Sequence, residues 1–175
     1  MSKIRFFVMD VDGTLTDGKI YMGPKGEVCK AFDIKDGCGI KILLPQHNII
    51  PVIITARNSE IVQNRCEELG IIDCYQGVYN KLLFMDDVLL KYSKNDGQEY
   101  TYANVVYVGD DLPDIPCMKK VQEEGGIAAC PADSVQQVRD IADFVCQNNG
   151  GKGAVRECIE WILEISETDS LKNTI

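Results

Sequence analysis

Ile4-Arg5-Phe6-Phe7-Val8-Met9 runs directly into Asp10-Val11-Asp12-Gly13-Thr14, and this stretch decides the fold. The first segment is short and rich in aromatic and branched side chains, the composition of a strand buried on both faces. Its end delivers two carboxylates. At strand-like spacing, residues two apart project to the same side, so Asp10 and Asp12 address one bound group. Gly13 lets the backbone turn sharply against that group and counts with its binding residues. An aspartate needs no deprotonation at neutral pH and can accept a phosphoryl group as an aspartyl-phosphate. The second carboxylate then protonates the leaving oxygen and later activates water. The pair reads as a phosphoryl-transfer site.

Two further apolar runs end in the same way. Ile50-Pro51-Val52-Ile53-Ile54 leads into Thr55-Ala56-Arg57, and Val105-Val106-Tyr107-Val108 into Gly109-Asp110-Asp111-Leu112-Pro113-Asp114. Between them Lys81 opens a helical stretch. Strands that each end in a polar residue describe an open α/β sheet, which binds ligands beyond the carboxyl ends of its strands. With the first strand central and the other two flanking it, Asp10, Thr55 and Asp110 converge. Asp10 beside Asp110 is costly unless a cation bridges them, and oxygen ligands with a phosphate favour Mg²⁺. On its own Thr55 reads equally as a β-branched strand residue, and Lys81 as a solvated helix-start lysine. Asp110 and Asp111 also suit the cap of the helix near Leu112, a role compatible with metal binding.

The ordered set Asp-x-Asp-Gly-Thr, Thr, Lys and Gly-Asp-Asp-x-x-Asp resembles the four motifs of the haloacid dehalogenase superfamily, phosphatase branch. The resemblance spans Asp10 to Asp114 and implies a doubly wound, mostly parallel α/β sheet of Rossmann-like form. It makes Asp10 the nucleophile and Asp12 the general acid/base. Thr55 and Lys81 become the phosphate-binding hydroxyl and cation. Asp110 becomes a Mg²⁺ ligand together with Asp10 and the backbone carbonyl of Asp12. Asp111 and Asp114 are expected in a supporting shell. The dehalogenases proper lack the second aspartate, so a phosphatase is expected. A signalling receiver domain would place its acidic pair and its phosphorylated aspartate on the opposite strands. A regulatory phosphatase-like module would be expected to carry a fused domain.

Composition is compatible with this. The chain has 175 residues, the size of one domain. Its net charge of −9 offers no basic stripe, so nucleic acid is not an expected partner. The eight cysteines form no Cys-x-x-Cys pair, and His47 is the single histidine, which argues against a zinc site. No apolar stretch approaches membrane-span length and no signal peptide is evident, so reduced thiols in a cytoplasmic protein are expected.

Along the chain, Lys19–Met22, the turn at Gly23-Pro24-Lys25-Gly26, and Val28–Phe32 read as a β-hairpin within an insert of about 18–32. Helices are expected over Asp36–Gln46, from an Asn58 or Ser59 cap to Leu69, over Lys81–Tyr92, Leu112–Val121 and Val135–Ile141, and from Gly153 to Ile165. Short strands are expected near Cys74, at Ile127–Cys130 and at Phe144–Cys146, with Lys94–Tyr100 as loop. The whole is read as one phosphatase domain over 1–167, with a C-terminal arm and helix at about 148–167 and a frayed tail over 168–175.

The insert is too small for a cap domain, and it carries Ile20, Tyr21, Met22, Val28 and Phe32, more apolar surface than two exposed strands should show. This combination resembles a narrower group, the capless phosphatases of eight- and nine-carbon sugar acids. The matching stretches are Asp10–Gly18, Lys30-Ala31-Phe32 with Asp36-Gly37, Gln76-Gly77, Gly109–Asp114 and Gly150–Glu157. The resemblance implies a homotetramer built on the hairpins and a phosphorylated 3-deoxy sugar acid as the small-molecule partner. 3-Deoxy-D-manno-octulosonate 8-phosphate is expected, with 3-deoxynonulosonate 9-phosphate or N-acetylneuraminate 9-phosphate as alternatives. Arg57 and Arg156 are candidates for the substrate carboxylate, Arg156 from a mobile glycine-rich arm over a neighbouring site. As surface or helix-start arginines both have equally ordinary readings.

Overall fold

Strand β1 (Phe6–Met9) is buried along its whole length. The computed structural model describes residues 3–172. β1 pairs in parallel with β4 (Ile50–Ile54) on one side and β6 (Val105–Val108) on the other, Met9 lying opposite both Ile53 and Val108. β5 (Asp73–Tyr75), β7 (Ile127–Cys130) and β8 (Phe144–Val145) complete a six-stranded sheet in the order β5-β4-β1-β6-β7-β8, every pairing parallel. β1 is therefore central between the two flanking strands, as the three runs of sequence require.

Side-chain alternation divides the core into two layers. Phe7 and Met9 face a cluster with Ile40, Leu44, Val62, Cys66 and Ile159, whereas Phe6 and Val8 face one with Met85, Val88, Met118 and Val121. The first layer is supplied by α1 (Ile34–Cys38), α2 (Leu44–Gln46), α3 (Glu60–Leu69) and α7 (Ala154–Lys172). The second is supplied by α4 (Lys81–Asp96), α5 (Ile115–Glu123) and α6 (Gln136–Arg139). Helices on both faces make the sheet doubly wound. Polar groups are therefore left at its carboxyl edge, where the strand order reverses around β1.

β2 (Tyr21–Gly23) and β3 (Gly26–Cys29) form a separate two-stranded hairpin, shorter and more tightly turned than the alternation suggests. Phe32 bridges instead to Thr16, closing the neck of the insert. Other boundaries also moved. The helical stretch opens at Ile34, with Asp33 accepting from the Lys35 amide as its cap, and passes through a π-helical turn at Gly39–Leu43. α4 continues through Lys94–Asp96, read above as loop, and ends at Gly97 with φ 68°. α7 continues through 168–172, read above as tail, while 173–175 lie outside the described residues. Polar composition hid both extensions, although it does not prevent a helix.

The glycine-rich segment before α7 is the largest departure. A β-carbon on Gly150 would stand 1.8 Å from the Gly13 carbonyl oxygen, and one on Gly151 would stand 2.6 Å from the Thr16 carbonyl carbon. Gly151 donates its amide to the Thr14 carbonyl at 3.1 Å, and Gly150 donates to Asp133 Oδ1 at 2.9 Å. These glycines permit close approach to the turn after β1 in their own chain, which corrects the mobile-arm expectation. Buried Asp36 accepts the Arg156 amide at 2.7 Å and so caps α7 from another helix. Gly150→Ala is expected to destabilise by more than about 2 kcal/mol, lowering the melting temperature by roughly 4 °C or more in a calorimetric scan. An unchanged melting temperature would contradict the close-packing account.

Candidate active site

The turn after β1 is built on one carbonyl. Val11 accepts the amides of Thr14, Leu15 and Thr16 at 3.3, 2.9 and 3.0 Å. Gly13 adopts φ 100°, and a β-carbon there would lie 2.0 Å from Asp110 Oδ2. Only glycine fits that position. Thr14 then donates to Asp110 Oδ1 at 3.0 Å, tying the ends of β1 and β6 together. Thr55, buried after β4, donates its amide to Tyr75 and accepts the Val78 amide, at 2.9 and 3.0 Å.

Lys81, at the start of α4, is buried and bonds Asp10 Oδ1 and Asp114 Oδ1, each at 2.7 Å. Asp114 also accepts from the Tyr107 hydroxyl at 2.7 Å, and its other oxygen takes the Asp110 and Asp111 amides at 3.0 and 3.2 Å. Asp114 thus holds the loop and the lysine. Asp111 points elsewhere: it is exposed and caps the following turn through the Leu112 amide at 2.7 Å.

Carboxylate oxygens of Asp10, Asp110 and Asp114 lie within 4.8 Å of one another. Burial pushes Asp10 up to about 6, against the attraction of Lys81 and with the repulsion of Asp114. Burial, then the charges of Asp10 and Asp114, push Asp110 up to about 8. Since Asp114 is occupied by four donors, Asp10 and Asp110 are the carboxylates free to hold a cation. All-oxygen donors of this charge fit Mg²⁺.

Asp12 sits in a second network. Its Oδ1 accepts from Lys30, and Arg57 Nε lies 3.5 Å from its Oδ2. Glu27, on β3, reaches Lys30 at 3.0 Å, Arg57 Nη2 at 3.3 Å and the Ser59 hydroxyl at 2.9 Å. Ser59 precedes α3, but its hydroxyl serves Glu27 instead of capping the helix. Sequence reasoning missed Lys30, Glu27 and Tyr107 as site residues. The Lys30-Ala31-Phe32 match was the available signal, but a lysine is ordinarily exposed and its burial is invisible in sequence. Arg57 is brought to the site. Arg156 is not brought to it within the chain: its Nε bonds Glu160 at 2.7 Å on the surface of α7.

Fold and site define an aspartate-based phosphoryl-transfer centre at the edge of a doubly wound sheet. No protein-family model matches the chain. It is 44% identical over 160 residues to the 3-deoxy-D-manno-octulosonate 8-phosphate phosphatase KdsC of Salmonella typhi, covering 91% of this chain and 79% of that protein. The crystal structure of the phosphatase of that name from Yersinia pestis superposes with a TM-score of 0.83 at 38% identity, covering 91% of this chain and 80% of that one. The Moraxella catarrhalis phosphatase, crystallised with a magnesium ion, a phosphate ion and a KDO molecule, superposes with a TM-score of 0.79 at 38% identity, covering 98% and 92%. The chain belongs to the 3-deoxy-D-manno-octulosonate 8-phosphate phosphatase family, within the haloacid dehalogenase superfamily.

The raised Asp10 and Asp110 give a pH prediction. Without metal, the folded state keeps protons that the unfolded chain has released between about pH 4 and about pH 8, so stability falls as pH rises through that window. A divalent cation held between these two carboxylates would take the pair deprotonated. Saturating Mg²⁺ should therefore raise the melting temperature more at about pH 8 than at about pH 5. Equal shifts at both pH values would contradict the shared site.

Proposed function

We propose that the chain is a Mg²⁺-dependent phosphatase that hydrolyses 3-deoxy-D-manno-octulosonate 8-phosphate through an aspartyl-phosphate on Asp10. The carrying observation is the constellation itself: Lys81 bonded to Asp10 at 2.7 Å, Asp110 beside it, and Asp12 presented on the same turn. Membership of the family supports the substrate.

In the first half-reaction the Asp10 carboxylate bonds to phosphorus while the bond from phosphorus to the sugar oxygen breaks. Asp12 gives that oxygen its proton. In the second, Asp12 takes a proton from water as the water attacks phosphorus, releasing phosphate and restoring Asp10. Lys81, the Thr55 hydroxyl and the backbone at Gly13 cradle the phosphoryl oxygens. Asp10, Asp110 and the Asp12 carbonyl would hold Mg²⁺, which would supply positive charge between an anionic nucleophile and an anionic phosphate. Asp114 keeps Lys81 in place.

Arg57 suits the substrate carboxylate, since its guanidinium stands beside Asp12 and its side chain is 41% exposed. Arg156 enters only if a neighbouring subunit presents it. Assembly is favoured by the hairpin, where Met22 is 66% and Val28 is 61% exposed. Apolar strands so uncovered suit a homotetramer joined through its hairpins. One domain spanning 1–167, with the insert as its assembly element, follows. A cytoplasmic location agrees with eight free cysteines. Among the described residues no helix is long and apolar enough to cross a membrane.

With Mg²⁺ present, Asp10→Asn should abolish turnover and Asp12→Asn should lower kcat by about 10²-fold or more, both folded by circular dichroism. A panel of eight-carbon, nine-carbon and hexose phosphates should place the octulosonate first in kcat/KM. An Asp10→Asn enzyme near parental activity would overturn the covalent mechanism, and a hexose preference would overturn the substrate.

By light scattering the protein should be a tetramer, and Met22→Glu with Val28→Glu should yield a monomer. A monomeric parent would refute the hairpin assembly while leaving the chemistry standing.

A further inference from the structure

Asp10 and Asp12 each carry a buried lysine, and the mechanism above uses only one of them. Lys81 serves Asp10. Lys30 lies just past the hairpin, its side chain wholly shielded from solvent, and bonds Asp12 across 18 residues of sequence. A buried ammonium is costly unless it is paired on several sides. Lys30 is so paired, with Asp12 Oδ1 and, at 3.0 Å, with Glu27 Oε1.

Glu27 is held in turn. Its Oε2 accepts the Ser59 hydroxyl at 2.9 Å and its Oε1 lies 3.3 Å from Arg57 Nη2. A continuous chain therefore runs from the loop after β4, through the hairpin, to the carboxylate of Asp12. At its end only Oδ1 is hydrogen-bonded, while Arg57 Nε stands 3.5 Å from Oδ2. Asp12 Oδ2 is shielded and has no hydrogen-bond partner among the described residues. A carboxylate free to rotate would exchange its two oxygens and spread its proton over several directions. Pinning one oxygen leaves the other as the defined proton carrier.

We infer that Lys30, anchored by Glu27, is a positioning residue that holds Asp12 Oδ1 and so presents Oδ2 to the leaving oxygen. This rests on the phosphatase reading above and extends it to residues outside the four motifs. The effect must fall on proton transfer more than on attack. An alkyl leaving group departs as an alcohol and needs the proton of Asp12 as the phosphorus–oxygen bond breaks. A nitrophenolate departs as a stable anion and needs none. In the first turnover both esters place the same phosphoryl group on Asp10.

The test compares an alkyl sugar phosphate with p-nitrophenyl phosphate in single-turnover rapid quench, with Mg²⁺ present. Lys30→Met should slow alkyl cleavage by about 10²-fold or more and nitrophenyl cleavage by less than about tenfold, with KM for the alkyl ester within about threefold of the parent. Lys30→Arg should recover much of the alkyl rate. Glu27→Gln, which leaves the lysine in place, should show the same leaving-group split at smaller size and guards against misfolding of the first variant. Equal losses on both esters in Lys30→Met and Glu27→Gln, or rates within about threefold of the parent on both, would overturn the inference. A parent that cleaves neither ester would overturn the phosphatase reading itself, a result seen without any variant.

Discussion

Bringing carboxylates together away from water is the constraint on which the rest of this structure depends. Asp10, Asp110 and Asp114 share one sheet edge with oxygens within 4.8 Å, and such a cluster repels itself. The fold answers with a buried lysine. Lys81 bridges Asp10 and Asp114, and the Tyr107 hydroxyl and two loop amides take up the rest of Asp114. What remains uncompensated is Asp10 against Asp110. Burial first, with neighbouring carboxylates adding to it, raises the proton affinity of both groups, and a divalent cation between them would relieve that cost.

Close packing of backbone against this cluster sets the second constraint. Gly13 exists because Asp110 occupies the place of its side chain, and Gly109 because Asp114 does the same, with a β-carbon there 2.3 Å from the Asp114 carboxyl carbon. Gly150 and Gly151 extend the pattern by laying the approach to α7 against the turn after β1. The C-terminal helix, with Val155, Cys158, Ile159 and Ile162 all buried, is thereby coupled to the position of Asp10. Motif geometry and domain stability are one packing problem here.

The hairpin has two duties. It exposes Met22 and Val28, an apolar surface suited to a partner copy. It also carries Glu27 and, just beyond β3, Lys30, which reach Arg57, Ser59 and Asp12. An insert too small to cover a substrate thus participates in the site from the side.

By itself the sequence determined the place of β1 between its two flanking strands, the sheet edge at which polar residues gather, and Asp10, Asp12, Thr55, Lys81 and Asp110 as the candidates there. These follow from local causes: apolar runs that can only be buried strands, each broken by a polar residue at its carboxyl end. Helix ends were less legible, because a polar last turn such as Lys94–Asp96 looks like loop until Gly97 is seen to end it. The roles of Lys30, Glu27 and Tyr107, and the tight seating of Gly150, were decided by tertiary structure alone. A lysine, a glutamate or a tyrosine carries no local mark of burial. Its partner is chosen by where distant segments meet, as Lys30 meets Asp12 and Gly150 meets Gly13. Placing the two candidate arginines also needed three dimensions, since Arg57 and Arg156 read alike in sequence, yet only Arg57 stands beside Asp12 in the chain.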